Sequence, residues 1–367
     1  MGKIKFYPDN LDLWFAPDDV SPVLLNGNHV FDSDVNTTKK IDRYRIEVSL
    51  ACDLNCQYCV VHMNKVSQRG RLMTLAVAKD LVREFNSKVG PDGSLVLIGG
   101  EPLLNWETVR YIIASCVGSS MVFTNALKLN KEKIRFFKKN KTLILTSLDG
   151  YNLKHNQSRF HPYASKRFAT VCENIKEAIK MGCRVGIGCV VHSENVADVH
   201  KIAEFFTKEL GARSLSFAYP HFTTEATKTN KFPMVKYTKE ICRLLEFSKE
   251  KKVYIDQIGR LLRGIFKKER IISACKAGLT QRTFYPDGSE TICTKLDTIK
   301  GYRINDFFRN LPFKNKKCKE CIAQNLCGGG CPWDASVFKN EVGVDRRICR
   351  HRSEERRVGK ECRCRWS

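Results

Sequence analysis

Between Arg45 and Tyr219 the chain repeats one pattern six times: a short apolar run, a break, then a more polar segment. The runs are RIEVSLA (Arg45–Ala51), SLVLI (Ser94–Ile98), MVFTN (Met121–Asn125), LILTS (Leu143–Ser147), RVGIGCVV (Arg184–Val191) and LSFAY (Leu215–Tyr219). Apolar runs alternating with amphipathic segments predict parallel strands joined by helices, an α/β fold. Six units fit an incomplete (β/α)6 TIM-like barrel, with an open sheet as the alternative. Helices are expected at Thr74–Phe85 (Ala76, Leu81, Val82 and Phe85 sharing a face), from Trp106, around Lys131–Lys139, over Ser165–Met181 with a stop at Gly182, and over Val196–Leu210. In either architecture reactive groups belong at the C-terminal ends of the strands.

After Pro220 the pattern changes. Residues 236–268 read as helical, with Cys242, Leu245, Tyr254 and Leu261 on apolar faces. From Cys275 the chain is short-segmented, Gly-punctuated and cysteine-rich. The expected division is an N-terminal extension (1–44), a core domain (45–230), a cysteine-rich domain (231–351) and a tail (352–367). The tail, RSEERRVGKECRCRWS, has almost nothing that could pack and resembles the translation of a sequencing-adapter oligonucleotide. It is expected to be non-native, so Cys362 and Cys364 are not taken as ligands.

The chain of 367 residues holds 17 cysteines. No stretch is long and apolar enough for a membrane span, and the N-terminus has no apolar signal core. A cytoplasmic protein is expected, where reducing conditions disfavour a disulfide framework. Metal ligation then accounts for the clustered spacings. The net charge of +24 lies in many short runs and reads first as a solvated lysine-rich surface. An acidic peptide is the sharper partner; RNA is the minor one, since no RNA-binding signature accompanies the charge.

The first run ends in Cys52-Asp53-Leu54-Asn55-Cys56-Gln57-Tyr58-Cys59. Three thiolates in one loop can hold three irons of a [4Fe–4S] cluster, leaving the fourth iron open. A zinc loop or plain structural thiols fit the same triplet. The second run ends in Gly99-Gly100-Glu101-Pro102, where two glycines allow close backbone approach and a carboxylate can accept from an ammonium group. The third ends in Thr124-Asn125, and the fourth in Ser147-Leu148-Asp149-Gly150 with Arg159 following.

Together these motifs resemble the radical S-adenosylmethionine (SAM) superfamily. The resemblance implies that Cys52, Cys56 and Cys59 ligate a cluster whose open iron binds SAM. It implies SAM contacts from Tyr58 (adenine side), Gly99, Gly100 and Glu101 (amino group), Asn125, and Ser147 with Arg159 (carboxylate). The C-terminal run Cys275-x12-Gly288-x4-Cys293, Cys318-x2-Cys321-x5-Cys327-x3-Cys331 and Cys349 is similar to the SPASM module, which carries auxiliary clusters. Carried over, the pattern gives one [4Fe–4S] cluster Cys275, Cys293 and Cys331, and the other Cys318, Cys321, Cys327 and Cys349. The first set is one cysteine short, because the stretch before Cys275 (KKERIISA) has none.

The resemblance therefore implies an oxidoreductase-type enzyme that cleaves SAM to a 5′-deoxyadenosyl radical and modifies a peptide or protein. A reducing donor such as flavodoxin or ferredoxin would supply the electron. An anaerobic sulfatase maturase is the nearest alternative. It is weakened by Thr294, which stands where such maturases carry an aspartate proposed as general base. The catalytic base is not identified from sequence. Further alternatives are a radical SAM enzyme acting on a small molecule or RNA, and a non-catalytic metal scaffold.

Overall fold

The computed structural model describes residues 3–6, 11–14, 40–63, 72–221, 232–260, 273–299 and 327–337, with single positions 271, 301, 318 and 349. The tail 352–367, Cys321 and Leu261 lie outside the described residues. A small antiparallel pair, β1 (Lys3–Phe6) and β2 (Leu11–Trp14), stands apart. The six expected strands all form: β3 (Arg43–Ser49), β4 (Ser94–Gly99), β5 (Ser119–Thr124), β6 (Leu143–Ser147), β7 (Arg184–Val190) and β8 (Ser214–Ala218). They lie side by side in chain order, every neighbouring pair parallel. The fold is an incomplete parallel α/β barrel, as the alternation predicts.

The sheet does not stop at six strands. At one edge β8 is joined by β9 (Tyr254–Ile255). At the other, β10 (Gln281–Phe284) pairs in parallel with β3, and β11 (Glu290–Thr291) closes that edge antiparallel. Residues beyond 230 thus extend the sheet of the core. The short β9 also corrects the helix expected over 236–268. α8 (Met234–Lys251) ends at Lys252, whose left-handed φ of 52° turns the chain into the strand. Leu245 on α8 is exposed and Cys242 half-buried; Ile241, Leu244 and Phe247 form the inward stripe instead.

Helices cover the outer face. They are α1 (Val60–Met63), α2 (Leu75–Lys88), α3 (Trp106–Ser115), α4 (Lys131–Lys139), α5 (Leu153–Phe160), α6 (Ala164–Lys180) and α7 (Val199–Glu204), the last continued by a π-turn, Phe205–Glu209. α2 starts where Thr74 caps it, its hydroxyl accepting from the Val77 amide at 3.3 Å. Ala78, Leu81, Val82 and Phe85 form its buried face. Leu81, Val82 and Phe85 are as the spacing predicts, but Ala76 is exposed and Ala78 takes its place, because Ala78 and not Ala76 lies four residues from Val82. The α5 helix was not expected; its run, LKHNQSRF, has no apolar stripe to announce it.

Strand alternation sorts the side chains. On β3, Tyr44, Ile46 and Val48 join the apolar core beneath the helices, while Arg45 and Glu47 point the other way, into the barrel. Tyr44 meets Phe85 edge-on with ring centroids 5.3 Å apart and Phe284 of β10 at 4.9 Å. This aromatic seam joins α2, β3 and the added edge strand. Among the described residues no helix is long and apolar enough to cross a membrane.

Phe85 is wholly buried at that seam. Phe85→Ala is expected to lower unfolding free energy by about 3–5 kcal/mol, measured by urea denaturation of the metal-free protein. A loss under about 1 kcal/mol would mean the seam does not hold the edge.

Candidate active site

One cavity of about 250 Å³ opens at the C-terminal ends of the strands. Its wall includes Cys52, Cys56, Tyr58 and Cys59 from the loop after β3, Gly99 and Gly100 after β4, and Asn125 after β5. Ser147 ends β6 on the same wall, and Arg159 reaches it from α5. Six of the seven residues expected to contact SAM therefore meet at one place, with all three cysteines of the first motif.

The cysteine loop is held on both sides. On one side the Gly100 amide donates to Ser49 O at 2.6 Å and the Glu101 amide to Ala51 O at 2.8 Å. Gly99 makes this approach possible. Its φ is +142°, and a Cβ there would lie 1.9 Å from Ser49 O. On the other side the Gln57 amide donates to Ser158 O at 3.0 Å, and the Cys56 thiol lies 3.8 Å from Arg159 O.

Glu101 is the seventh expected contact, and it does not line the cavity. It is fully buried beneath the wall, where Oε1 accepts from the Leu103 amide (2.9 Å) and the Thr124 hydroxyl (2.8 Å) and Oε2 from the Asn125 amide (2.7 Å). Burial raises its carboxyl to about 7 against these three donors. The carboxylate thus fixes the loop after β5. Asn125 in turn donates to Asp53 Oδ1 at 2.7 Å and lies 3.8 Å from Cys52 Sγ, binding that loop to the cysteine loop.

Asp149 is the residue the sequence reading passed over, although it stands inside the quoted SLDG motif. It is fully buried. Its carboxylate accepts from the Tyr58 hydroxyl, from Arg159 Nε and Nη2 (both 3.3 Å) and from the Val190 amide (3.0 Å). The Arg159 guanidinium also lies 5.6 Å from the Tyr58 ring centre. Arg159 is pushed above the usual guanidinium range: burial opposes its charge, and Asp149 more than compensates.

Burial also raises the Cys52 thiol to about 12 and the Cys56 thiol above its usual range, Arg159 opposing the second rise. Three half-buried thiols on one cavity wall, Cys52, Cys56 and Cys59, are a donor set suited to a soft metal centre. An iron–sulfur cluster fits that set.

The C-terminal cysteines approach from across the sheet edge. Cys293 and Cys331 pack against the small core of Leu296 and Trp333. Desolvation raises the Cys275 thiol, and the neighbouring Cys293 adds to the rise. Cys275 likewise adds to the rise at Cys331, where burial dominates. The three cysteines of the short auxiliary set are therefore neighbours. Thr294 and Lys295, directly after Cys293, line the main cavity with Glu47 and Tyr285. Of the second set, Cys318 and Cys327 are half-buried and Cys349 is exposed.

Asp149→Asn is expected to cost about 3–5 kcal/mol, since it leaves the Arg159 charge buried without its counter-ion. Tyr58→Phe, which removes one hydrogen bond to the same carboxylate, should cost about 1 kcal/mol. Denaturant titration of the two variants gives both numbers, and equal costs would mean Asp149 does not depend on the arginine.

Residues 46–206 match the radical SAM superfamily. A cysteine-type anaerobic sulfatase-maturating enzyme of Clostridium perfringens is 24% identical over 320 residues, covering 77% of this chain and 86% of that protein. A radical SAM cyclopropyl synthase, TigE, of Paramaledivibacter caminithermalis is 22% identical over 162 residues, 39% of this chain and 34% of that one. Among solved structures, anSMEcpe with bound AdoMet superposes with a TM-score of 0.70 at 20% identity, over 85% of this chain and 95% of that one. Streptococcus suis SuiB bound to the precursor peptide SuiA gives 0.63 at 16% identity, over 94% and 84%. A cavity at the strand ends walled by the CxxxCxYC cysteines, and a superfamily match over residues 46–206 that build it, identify a radical SAM domain in an enzyme that uses SAM and a [4Fe–4S] cluster.

Proposed function

We propose that the protein is a peptide or protein maturase: it uses a SAM-derived radical to crosslink or oxidise a side chain of a polypeptide substrate. The observation that carries this reading is the shared cavity. Thr294 and Lys295 from the cysteine-rich segment line the same wall as Cys52, Cys56 and Cys59. A substrate in that cavity would lie between the two sets of cysteines. The similarity to maturases whose structures hold peptides supports a polypeptide as that substrate.

In this reading Cys52, Cys56 and Cys59 hold the SAM-binding cluster. Gly99 and Gly100 admit SAM close to the backbone, Asn125 and Ser147 offer it polar atoms, and Arg159 directs its remaining N–H donors to the carboxylate. Tyr58 is held against Arg159 by Asp149, so it packs at a fixed place on the wall. Glu101 acts one layer below, positioning Asn125. Cys275, Cys293 and Cys331 hold one auxiliary cluster, and Cys318, Cys321, Cys327 and Cys349 the other. A reduced cluster held by Cys52, Cys56 and Cys59 would supply the electron for reductive cleavage of SAM. The chain's part is to orient the substrate against SAM and exclude water around it.

The division into a core (45–230) and an auxiliary domain (231–351), a cytoplasmic location and a flavodoxin- or ferredoxin-type donor belong to the same proposal. Protein reconstituted anaerobically with iron and sulfide is expected to hold about twelve irons, and replacing Cys52, Cys56 and Cys59 together by Ala to remove about four. Reduced wild-type protein with SAM should release 5′-deoxyadenosine and the triple variant none. Unchanged iron in the triple variant would overturn the first ligand set.

One observation favours a second reading, oxidation of a sulfatase cysteine. Thr294 takes the place of the maturases' aspartate, yet a carboxylate is still present: Glu47 of β3 is buried on the cavity wall and hydrogen-bonded to Thr294. Burial raises its carboxyl above the usual range, Thr294 and Arg45 opposing. Glu47→Gln is expected to retain 5′-deoxyadenosine release and to abolish formylglycine formation on a cysteine-containing sulfatase peptide. Wild-type protein that leaves such a peptide unmodified would exclude this second reading.

A further inference from the structure

The auxiliary set Cys275, Cys293 and Cys331 is one thiolate short, and the residues around it contain a donor that the cysteine pattern could not name. His221 stands three residues after the end of β8, on the core side. Cys331 directly precedes α9 (Pro332–Val337), and Asp334 lies in its first turn. One ligand atom each from His221, Cys331 and Asp334 lie within 4.8 Å of one another.

The imidazole is held in a defined way. His221 Nδ1 and Asp334 Oδ2 are 2.7 Å apart, and Asp334 is fully buried. Trp333 meets the imidazole edge-on, with ring centres 6.1 Å apart. A buried carboxylate on Nδ1 fixes the proton there and leaves Nε2 as the lone-pair nitrogen. This is the carboxylate–histidine arrangement that orients metal ligands. Nε2 does face a cation: Lys295 Nζ lies 2.6 Å from it. Lys295, two residues after Cys293, thus ties the imidazole to the segment that carries one of the three thiols.

We propose that His221 is the fourth protein ligand of the cluster held by Cys275, Cys293 and Cys331, binding through Nε2, with Asp334 as its orienting carboxylate. The assignment rests on the preceding reading that a cluster is held there. An imidazole in place of a thiolate makes the centre one unit less negative, which raises its reduction potential. Such a centre accepts an electron from an oxidised substrate more readily than an all-thiolate one.

The test uses the full-length Cys52→Ala, Cys56→Ala, Cys59→Ala protein, so that only C-terminal clusters remain. It is reconstituted anaerobically, reduced, and examined by pulsed EPR at natural abundance and after 15N-histidine labelling. The expected result is a strongly coupled nitrogen that changes isotope with the label. His221→Cys should keep the iron content, abolish that coupling and lower the potential of one cluster. Asp334→Asn should alter the coupling without removing iron. An iron-loaded protein with no histidine coupling, or a coupling that survives in His221→Cys, overturns the assignment and leaves Lys295, His221 and Asp334 as a hydrogen-bond relay. A triple variant that binds no iron at all overturns the cluster reading as well, so the two failures are distinguishable.

Discussion

The cavity depends on the carboxylate of Asp149. It takes hydrogen bonds from the cysteine loop (Tyr58), from α5 (Arg159) and from β7 (Val190), three segments that share no strand pairing with one another at that point. Its own backbone is held too: the amide donates to Asn156 Oδ1 at 2.8 Å, and the carbonyl accepts from Asn195 Nδ2 at 2.8 Å. A buried charge with one counter-ion and two further donors is satisfied only in a single arrangement. Shifting α5 or the cysteine loop would strand either the carboxylate or the guanidinium in a dry interior. The geometry of the cysteine wall is therefore set by a residue that does not line the cavity.

The electrostatics of the metal-free wall follow from burial. Cys52 is raised to about 12 and Glu101 to about 7, so near neutral pH the thiol is protonated and the carboxyl is close to its midpoint. A wall of this kind is poorly disposed to isolated negative charge and well disposed to an incoming cation, which reverses the thiol preference and releases protons. Loading of the first ligand set should accordingly become more favourable as pH rises. The same logic separates Glu101 from Glu47. Both are buried, but Glu101 is committed to three donors, whereas Glu47 faces the cavity.

Much of this was legible in the sequence because the signals were local. Six strands announced themselves as apolar runs, and Thr74 and Gly182 marked where helices start and stop. The cysteine, Gly-Gly and Ser147 motifs fell at strand ends, where a parallel barrel gathers them. What was not legible depended on contacts between distant segments. The partner choice of Glu101 requires β5 to lie beside β4. The value of Asp149 requires an arginine from α5, a helix without an apolar stripe. The end of α8 turns on a left-handed Lys252, and lysine is not a residue that advertises such a turn. His221 sits 54 residues before Cys275 in the chain, in no motif, and only the fold brings it to Cys331.

The segment Cys293-Thr294-Lys295 joins the two chemistries. Cys293 belongs to the auxiliary core of Leu296 and Trp333, while its two successors line the main cavity. That segment reaches the barrel because β10 pairs with β3, the strand that also leads into the Cys52 loop and carries Glu47. One parallel edge pairing thus places a cysteine-rich segment, a buried carboxylate and the Cys52–Cys59 loop around one cavity. In the proposed maturase that adjacency would set a substrate side chain between the residues that hold SAM and those that hold an auxiliary cluster. Lys295 is the side chain that touches both: it lines the cavity and bonds to His221.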